Sequence, residues 1–543
     1  MTDRSRSSRE SAAWVRFVMP SAADLIFVAL LGVLVFTPLA VKLLGDAGIG
    51  WHIRTGQWIL ATHAVPRVDT FSATAHGQPW FAWEWMYDVV VGKLESALGL
   101  NGVVWFTAVV IAAAFAGLFR FLIARGTNFL VALGLTLLAT SAAMIHFLAR
   151  PHVVSWLFTL VWCWILDSVE RGEGLRRLWI LPGLMLVWVN VHGGFLVGFV
   201  LLGIFWISAG WEWWTTRVDR TEDVLRRISA GRRVRELTWV GLASCAASMV
   251  NPYGWKLHAH IYSYLTNRFL MDHIEEFQSP NFHGVAAKCF GILILIGIAA
   301  LAWGVPIQRR QKHAVGIPTL SQKARKDGAP SVSEILTVLF AVYAGLYAAR
   351  NIPVSAVLLA MVVGPWLSGL PLARGFSERM SAIERELRGH VWVLAAVVVT
   401  FLIVVNGGRV GGNEVMDAHF DAARMPVGAV DFLLQRKSDG PIFSPDYWGG
   451  YLIYRMNRSA DAVPRVVVDD RHDLYGEEFL KGYLTVIHVE EGWRNSFFYG
   501  QAGFLVFPRN AALTNALIGD SLWKEVYRDE TAVVFEKQSR ADQ

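Results

Sequence analysis

Asp46-Ala47-Gly48-Ile49-Gly50-Trp51-His52-Ile53-Arg54 follows directly on the apolar run that ends at Leu44 and opens a polar stretch, residues 46 to about 100. The stretch continues through His63, Arg67, Asp69 and His76 and closes on Trp80, Trp83, Glu84, Trp85 and Asp88. Acids, histidines and tryptophans crowd here, while long apolar runs dominate the chain before and after. That contrast sets the reading: a watery loop carrying chemistry at the surface of a membrane protein.

Composition agrees. The 543 residues are 54% hydrophobic and 17% charged, where a soluble domain is about one quarter charged. Mean hydropathy is +0.39, which places the chain in the polytopic membrane class. The 24 tryptophans fit, because indole rings favour the membrane–water interface. The net charge of +6 comes from basic residues between apolar runs and does not indicate nucleic-acid binding. Cys163, Cys245 and Cys289 lie inside apolar segments without metal or CxxC spacing and read as small core residues. Arg4, Arg6, Arg9 and Arg16 precede an apolar run with no small-residue cleavage site, so that run reads as a retained first span.

About eleven spans are expected, at 24–44, 101–119, 128–148, 153–169, 178–190, 194–214, 238–250, 289–305, 333–348, 353–371 and 391–406, several of them short of the ~20 residues that cross a bilayer untilted. Arginine and lysine gather in alternate connections: the N-terminus, Arg120/Arg125, Arg171–Arg177, Arg217–Arg235, Arg309–Lys326 and Arg374–Arg388. The positive-inside rule makes these cytoplasmic. Loops 46–100, 149–152, 190–193, 251–288 and 349–352 then face outward, with the tail beyond about residue 407. The expected location is a bacterial inner membrane, N-terminus inside and C-terminal domain outside.

Polar residues sort accordingly. Arg150 and His152 occupy one outer turn, and Asn190 and His192 the next. Asn251, His258, His260, Asp272, His273, Glu275 and Glu276 lie in a third, and Arg350 and Asn351 in a fourth. Helix ends are polar everywhere, but Arg150 and Arg350 defy the inside preference for positive charge, and ionisable groups at membrane depth tend to line a cavity or meet a ligand. A shared outer cavity is the stronger expectation. Asp46, at the lip of the first span, either caps the next helix or acts as a base or divalent-metal ligand. His52 is suited to proton shuttling or metal binding, and Trp51 to the lipid interface or a sugar face. Segment 81–98 reads as an amphipathic helix on the outer surface. It places Glu84 and Asp88 on one face, as a second carboxylate of the site or as a solvated face. Arg150 and Arg350 are the phosphate candidates, since guanidinium binds phosphate in a fork; pairing with Asp46 or Glu84 is the structural alternative.

Beyond residue 407 the spans stop. Helix 426–436, strand 441–444, helix 446–456, strand 465–469, helix 476–489, strand 503–507, helix 510–519 and a hairpin over 523–536 suggest a small α/β domain with a partly parallel sheet. Gly407-Gly408 and Gly411-Gly412 read as linker. Asp469, Arg471 and Asp473 follow the apolar strand Val466-Val467-Val468, where ligands of α/β sheets gather; a salt-bridge cluster is the alternative. There is no P-loop and no GxGxxG.

Several motifs carry a resemblance: Asp46…Trp51-His52-Ile53-Arg54-Thr55-Gly56, Pro66-Arg67…Asp69-Thr70-Phe71-Ser72, Ala149-Arg150-Pro151-His152, Trp188-Val189-Asn190-Val191-His192-Gly193-Gly194, Asn251-Pro252-Tyr253-Gly254, Tyr447-Trp448-Gly449-Gly450 and Asp469-Asp470-Arg471-His472-Asp473. Together they resemble a bacterial group of GT-C-like membrane glycosyltransferases with an outer C-terminal α/β domain. The span and charge pattern divides the chain into residues 1–23 as cytoplasmic tail, 24–406 as membrane domain and 407–543 as outer domain. The resemblance implies sugar transfer from a polyprenyl-phosphate donor to an outward-facing glycan, lipid or protein acceptor. Asp46 would stand as the loop-one acid, with Mg or Mn as a conceivable metal; Gly48 and Gly50 replace the neighbouring second Asp of the commonest acid-pair pattern. His52 and Glu84 join Asp46 as catalytic candidates, and Arg150, His152, Asn190, His192, Arg350 and Asn351 as substrate-binding ones. The rivals are a transporter of a lipid-linked substrate and a non-catalytic membrane scaffold.

Overall fold

The computed structural model describes residues 16–538, apart from 218–220, 303–329, 371, 388–389, 437–438, 458–462 and 464. Arg4, Arg6, Arg9, Arg220, Arg388 and the whole Arg309–Lys326 cluster lie outside the described residues. The chain is a polytopic helical membrane protein with a small sheet near its C-terminus.

A helix lies on each of the apolar stretches. Seven among the described residues are long and apolar enough to cross a membrane, or eight if the bent pair Arg374–Glu386 and Val391–Val405 counts as one span. Stretches 178–190, 238–250 and 333–348 differ from the rest. The first holds only the helix Ile180–Trp188, and the third only Val332–Tyr347. The second is the end of one helix, Thr221–Ser248, whose first half is the arginine-rich segment expected as a connection. Arg226 and Arg233 are buried there, with Arg233 paired to Glu212. Cys163 is buried, but Cys245 is exposed and Cys289 half-buried, so the core reading fails for Cys245.

The amphipathic helix begins at Trp85, not 81, because residues just before it are tied outward: the Ala82 N–H donates to the Tyr253 hydroxyl at 2.7 Å. It breaks from the following span at Gly99, whose φ of 64° favours glycine. A second correction concerns the glycines after the last span. Arg409–Val410 (β1) and Asn413–Glu414 (β2) pair as a small hairpin around Gly411 and Gly412, with φ of 55° and 86°. Two consecutive positive φ values are what a tight two-residue hairpin turn needs.

The C-terminal sheet has the order β3-β4-β6-β5, where β3 is Ile442–Phe443, β4 Phe504–Pro508, β5 Trp523–Arg528 and β6 Ala532–Lys537. β3 and β4 run parallel and the other pairs antiparallel. The strand expected at 465–469 reduces to a bridge at Val466. Val466 pairs with Ile442 on one side and with Ser72 of the first loop on the other, both parallel. The loop therefore extends the edge of the C-terminal sheet, and the Ala73 N–H donates to the Val466 carbonyl at 2.7 Å. The flanking helices are Val427–Gln435, Asp446–Met456, His472–Ile487 and Ala512–Leu517.

Packing fuses the two parts. The large apolar core that contains Phe27, Ile111 and Phe115 also takes in Phe420, Trp448 and Tyr451. A second core joins Phe443, Leu505 and Phe507 to Leu270, Met271 and Phe277 of the 251–288 segment. Helix Asp446–Met456 crosses helix Ile49–Thr62 backbone to backbone: a Cβ on Gly50 would strike the Gly450 carbonyl, and one on Gly450 the Ala47 carbonyl. Gly450→Val should therefore part the two helices and cost about 1–3 kcal/mol, the usual range for overpacking. The expected readout is a lower melting temperature in detergent; an unchanged melting temperature would contradict this tight crossing.

Candidate functional site

Asp46 stands in the turn after helix Leu39–Leu43. Its Oδ1 accepts from the Gly48 N–H at 2.8 Å, so it does organise the start of helix Ile49–Thr62. Its Oδ2 lies 3.4 Å from Nε of Arg150. Arg150 is brought there by its own loop, since the Ala149 N–H donates to the Leu43 carbonyl at 2.7 Å. Nη2 of the same guanidinium donates to Oδ2 of Asp470 at 3.0 Å, and Asp470 Oδ1 accepts from Trp51 Nε1 at 2.9 Å. Asp46, Arg150 and Asp470 thus meet from three distant parts of the chain. Gly48 makes the room: a Cβ there would collide with Arg150 Nη1 and Asp470 Oδ2. Arg150 Nη1 is buried with no hydrogen-bond partner. Burial and the Asp46 charge raise the Asp470 pKa to about 6, against the pull of Arg150. Asp46, 31% exposed in its side chain against 16% for Asp470, is the more open carboxylate.

Trp51 is not an interface residue. It is buried, stacked on His52 at 3.6 Å between ring centroids, with the Arg150 and Arg471 guanidinium carbons 5.8 and 5.9 Å from its ring.

Arg471 is fully enclosed. It forks onto Asp469 through Nε and Nη2, both at 2.7 Å, and its Nη1 donates to Asp69 at 2.7 Å. Its guanidinium also lies 4.6 Å from the centroid of the Trp80 ring. Burial pushes the Asp69 pKa up, but Arg471 and Ser72 outweigh it and hold it below the ordinary value. Asp469 and Arg471 therefore tie the C-terminal domain to the first loop, which is the salt-bridge alternative.

Glu84 belongs to a second group. Its Oε2 is 3.7 Å from His52 Nε2 and its Oε1 3.7 Å from His192 Nε2. His52 Nδ1 meets Asp88 Oδ1 at 2.6 Å. His192 Nδ1 lies 2.8 Å from Ser155 Oγ and accepts from the Gly194 N–H at 3.0 Å. Asp88 is buried and Glu84 nearly so, which overturns the solvated-face alternative. Burial, followed by Arg150 and then His192, keeps the His52 pKa well below that of a free imidazole; for His192 the causes are burial, Arg350 and His152. Burial raises the Glu84 pKa to about 8, while Arg150 and Arg350 pull the other way.

Arg350 pairs with Glu276 at 2.9 Å and lies 4.6 Å from the centre of the Phe277 ring. His260 and Asp473 pair at 3.0 Å, and His472 and Asp446 at 2.8 Å. Asn351 Nδ2 donates to the Ala344 carbonyl, and His152 Nε2 sits 2.9 Å from the His146 carbonyl. Asn190 is saturated: its amide donates to the Leu186 and Val250 carbonyls and accepts from Trp85 Nε1. Asn190 and Asn351 thus fasten turns together. The turns expected to face outward do converge, and Glu84 feels the charges of Arg150, Arg350, Asp473 and Glu276.

Asp470 was missed as a candidate. It turns to Arg150 while its neighbours Asp469 and Arg471 pair with each other and with Asp69. Ser155 gave no signal, lying inside an apolar span. Among the described residues no group of three or more His, Cys, Asp or Glu that could hold a metal ion occurs.

No protein-family model and no curated protein matches the chain. Among solved structures, it is similar to the oligosaccharyltransferase of Archaeoglobus fulgidus tethered to an acceptor peptide, over 90% of this chain and 68% of that one, at 11% identity and a TM-score of 0.54. It also aligns with ArnT from Cupriavidus metallidurans in the apo state, over 97% of this chain and 98% of that one, at 12% identity and a TM-score of 0.48. With ArnT bound to undecaprenyl phosphate the figures are 95%, 98%, 13% and 0.46. The likeness is one of fold: the chain shares the helical membrane architecture of that oligosaccharyltransferase.

Proposed function

We propose that this protein is a membrane glycosyltransferase that moves a sugar from a polyprenyl-phosphate donor to an acceptor outside the cytoplasm. The observation that carries the reading is the Asp46–Arg150–Asp470 cluster on a GT-C fold, with one buried guanidinium nitrogen of Arg150 left without a partner. A phosphate oxygen is a fitting partner for that nitrogen, because charge-assisted hydrogen bonds to phosphate are strong away from bulk water. Arg350 supplies a second positive charge on the same face.

In the reaction, the acceptor oxygen bonds to the anomeric carbon as the bond from that carbon to the phosphate oxygen breaks. The electron pair leaves on the phosphate, and the acceptor proton passes to Asp46, the more open carboxylate of the cluster. The acceptor is a glycan, lipid or protein hydroxyl or amine reaching the outer face.

The donor is tested by native mass spectrometry of the protein in nanodiscs. A polyprenyl monophosphate should form a retained adduct, and Arg150→Ala should lose most of it. Equal retention of the phosphate-free polyprenyl alcohol would contradict a phosphate site.

A further inference from the structure

Glu84 is a carboxyl without a permanent cation. The two nearby arginines are engaged elsewhere, Arg150 with Asp46 and Asp470, and Arg350 with Glu276. Within ion-pair reach among the described residues Glu84 has only two imidazoles, His52 from the helix Ile49–Thr62 and His192 from the turn before Phe195.

The tautomer of His192 is set by its surroundings. Its Nδ1 accepts the Gly194 N–H, and Trp188 Nε1 donates to Ser155 Oγ, which leaves the Ser155 proton for the same Nδ1. A neutral His192 therefore carries its proton on Nε2, aimed at Oε1 of Glu84. On the other side, His52 Nδ1 lies 2.6 Å from Asp88 Oδ1; with the proton on Nδ1 and donated to an Asp88 carboxylate, Nε2 of a neutral His52 presents a lone pair to Oε2 of Glu84, 3.7 Å away. Two acceptors facing each other in a nearly buried place need a proton between them. The side chain of Glu84 is 12% exposed, enough to reach a substrate group and too little to be solvated as an anion.

We infer that Glu84 rests as a neutral carboxylic acid and is the proton donor of the site, giving its proton to the phosphate oxygen released from the sugar. This rests on the transferase reading. As the bond from the anomeric carbon to oxygen breaks, the leaving phosphate gains an electron pair and takes the Glu84 proton. The resulting carboxylate is held by the Nε2–H of His192 and regains a proton from solvent through its exposed edge. Asp46 keeps the separate task of receiving the acceptor proton. Burial, set against Arg150 and Arg350 and aided by Asp473 and Glu276, puts the Glu84 pKa at about 8, so the acid form prevails at neutral pH.

Two measurements test this. Infrared difference spectra of wild type minus Glu84→Gln, recorded across a pH titration without substrate, should show a protonated carboxyl at neutral pH that disappears as pH rises through about 8. An ionised Glu84 at neutral pH, with the proton on Asp88, overturns the inference. Turnover of polyprenyl-monophosphate-linked sugars should fall in Glu84→Gln by about 10²–10⁴-fold at unchanged melting temperature, the usual weight of a general acid. Glu84→Asp should retain part of the activity. Wild-type turnover in Glu84→Gln, which keeps the shape of the side chain but has no proton to give, overturns the donor role. No transfer by the wild type overturns the transferase reading and the donor role with it, while the infrared titration still decides whether Glu84 holds its proton.

Discussion

Arg471→Met is expected to unfasten the C-terminal domain from the first loop. Removing one partner of a buried ion pair leaves charge without compensation, at a cost of about 3–5 kcal/mol. Here two carboxylates, Asp69 and Asp469, would be stranded with no exposure to water. Methionine fills much of the same volume among Trp51, Phe71 and Trp80, so the loss isolates charge from packing. Limited proteolysis should cut between 407 and 538 sooner than in wild type, and the melting temperature should drop. Replacing all three residues by apolar ones should recover much of the stability. A single Arg471→Met variant as resistant as wild type would show that the buried triad does not join the two parts. The sign of the pH dependence follows. Asp69 has its pKa depressed in the folded state, so its contribution is present above the unfolded value and is lost as pH falls through the folded one.

Asp46→Asn should remove most of the activity. Asparagine keeps the shape and can still accept the Gly48 N–H, so the turn before helix Ile49–Thr62 survives. What disappears is the acceptor for the nucleophile's proton and one of the two charges on Arg150. Loss of a general base costs about 10²–10⁴-fold in rate. Turnover should fall by that factor with expression and melting temperature near wild type. A loss below threefold would move the base elsewhere, with Asp470 the nearest carboxylate on the same guanidinium.

Much of this architecture is legible in the sequence, because in a membrane the solvent itself enforces the pattern. Apolar runs mark helices, since backbone groups in lipid must bond internally, and every expected stretch is helical. The site candidates divide by how they are held. Asp46, Glu84, Arg150, His192 and Arg350 do gather, because each sits in a turn or at the end of a helix. Asn190 and Asn351 gave the same signal and serve as latches, since a polar residue at a helix end satisfies a backbone carbonyl as readily as it meets a ligand. Asp469 and Arg471 were legible as a charged loop after a strand. That they turn inward on Asp69, leaving Asp470 to face Arg150, depends on a long-range pairing between residue 69 and residue 471 that no local pattern encodes. The glycine hairpin at 411–412 was misread as linker because consecutive glycines serve both ends equally well.

The most direct measurement is transfer itself. Purified protein in bilayer nanodiscs would be given a panel of polyprenyl-monophosphate-linked hexoses, pentoses and amino sugars with extracted envelope glycans, lipids and proteins as acceptors, and the products followed by mass spectrometry. The expected result is a sugar-bearing acceptor together with free polyprenyl phosphate, both falling by orders of magnitude in Asp46→Asn. Retained donor adducts with no released polyprenyl phosphate, for wild type and variant alike across the panel, would contradict a transferase and favour a protein that carries or anchors the lipid without cleaving it.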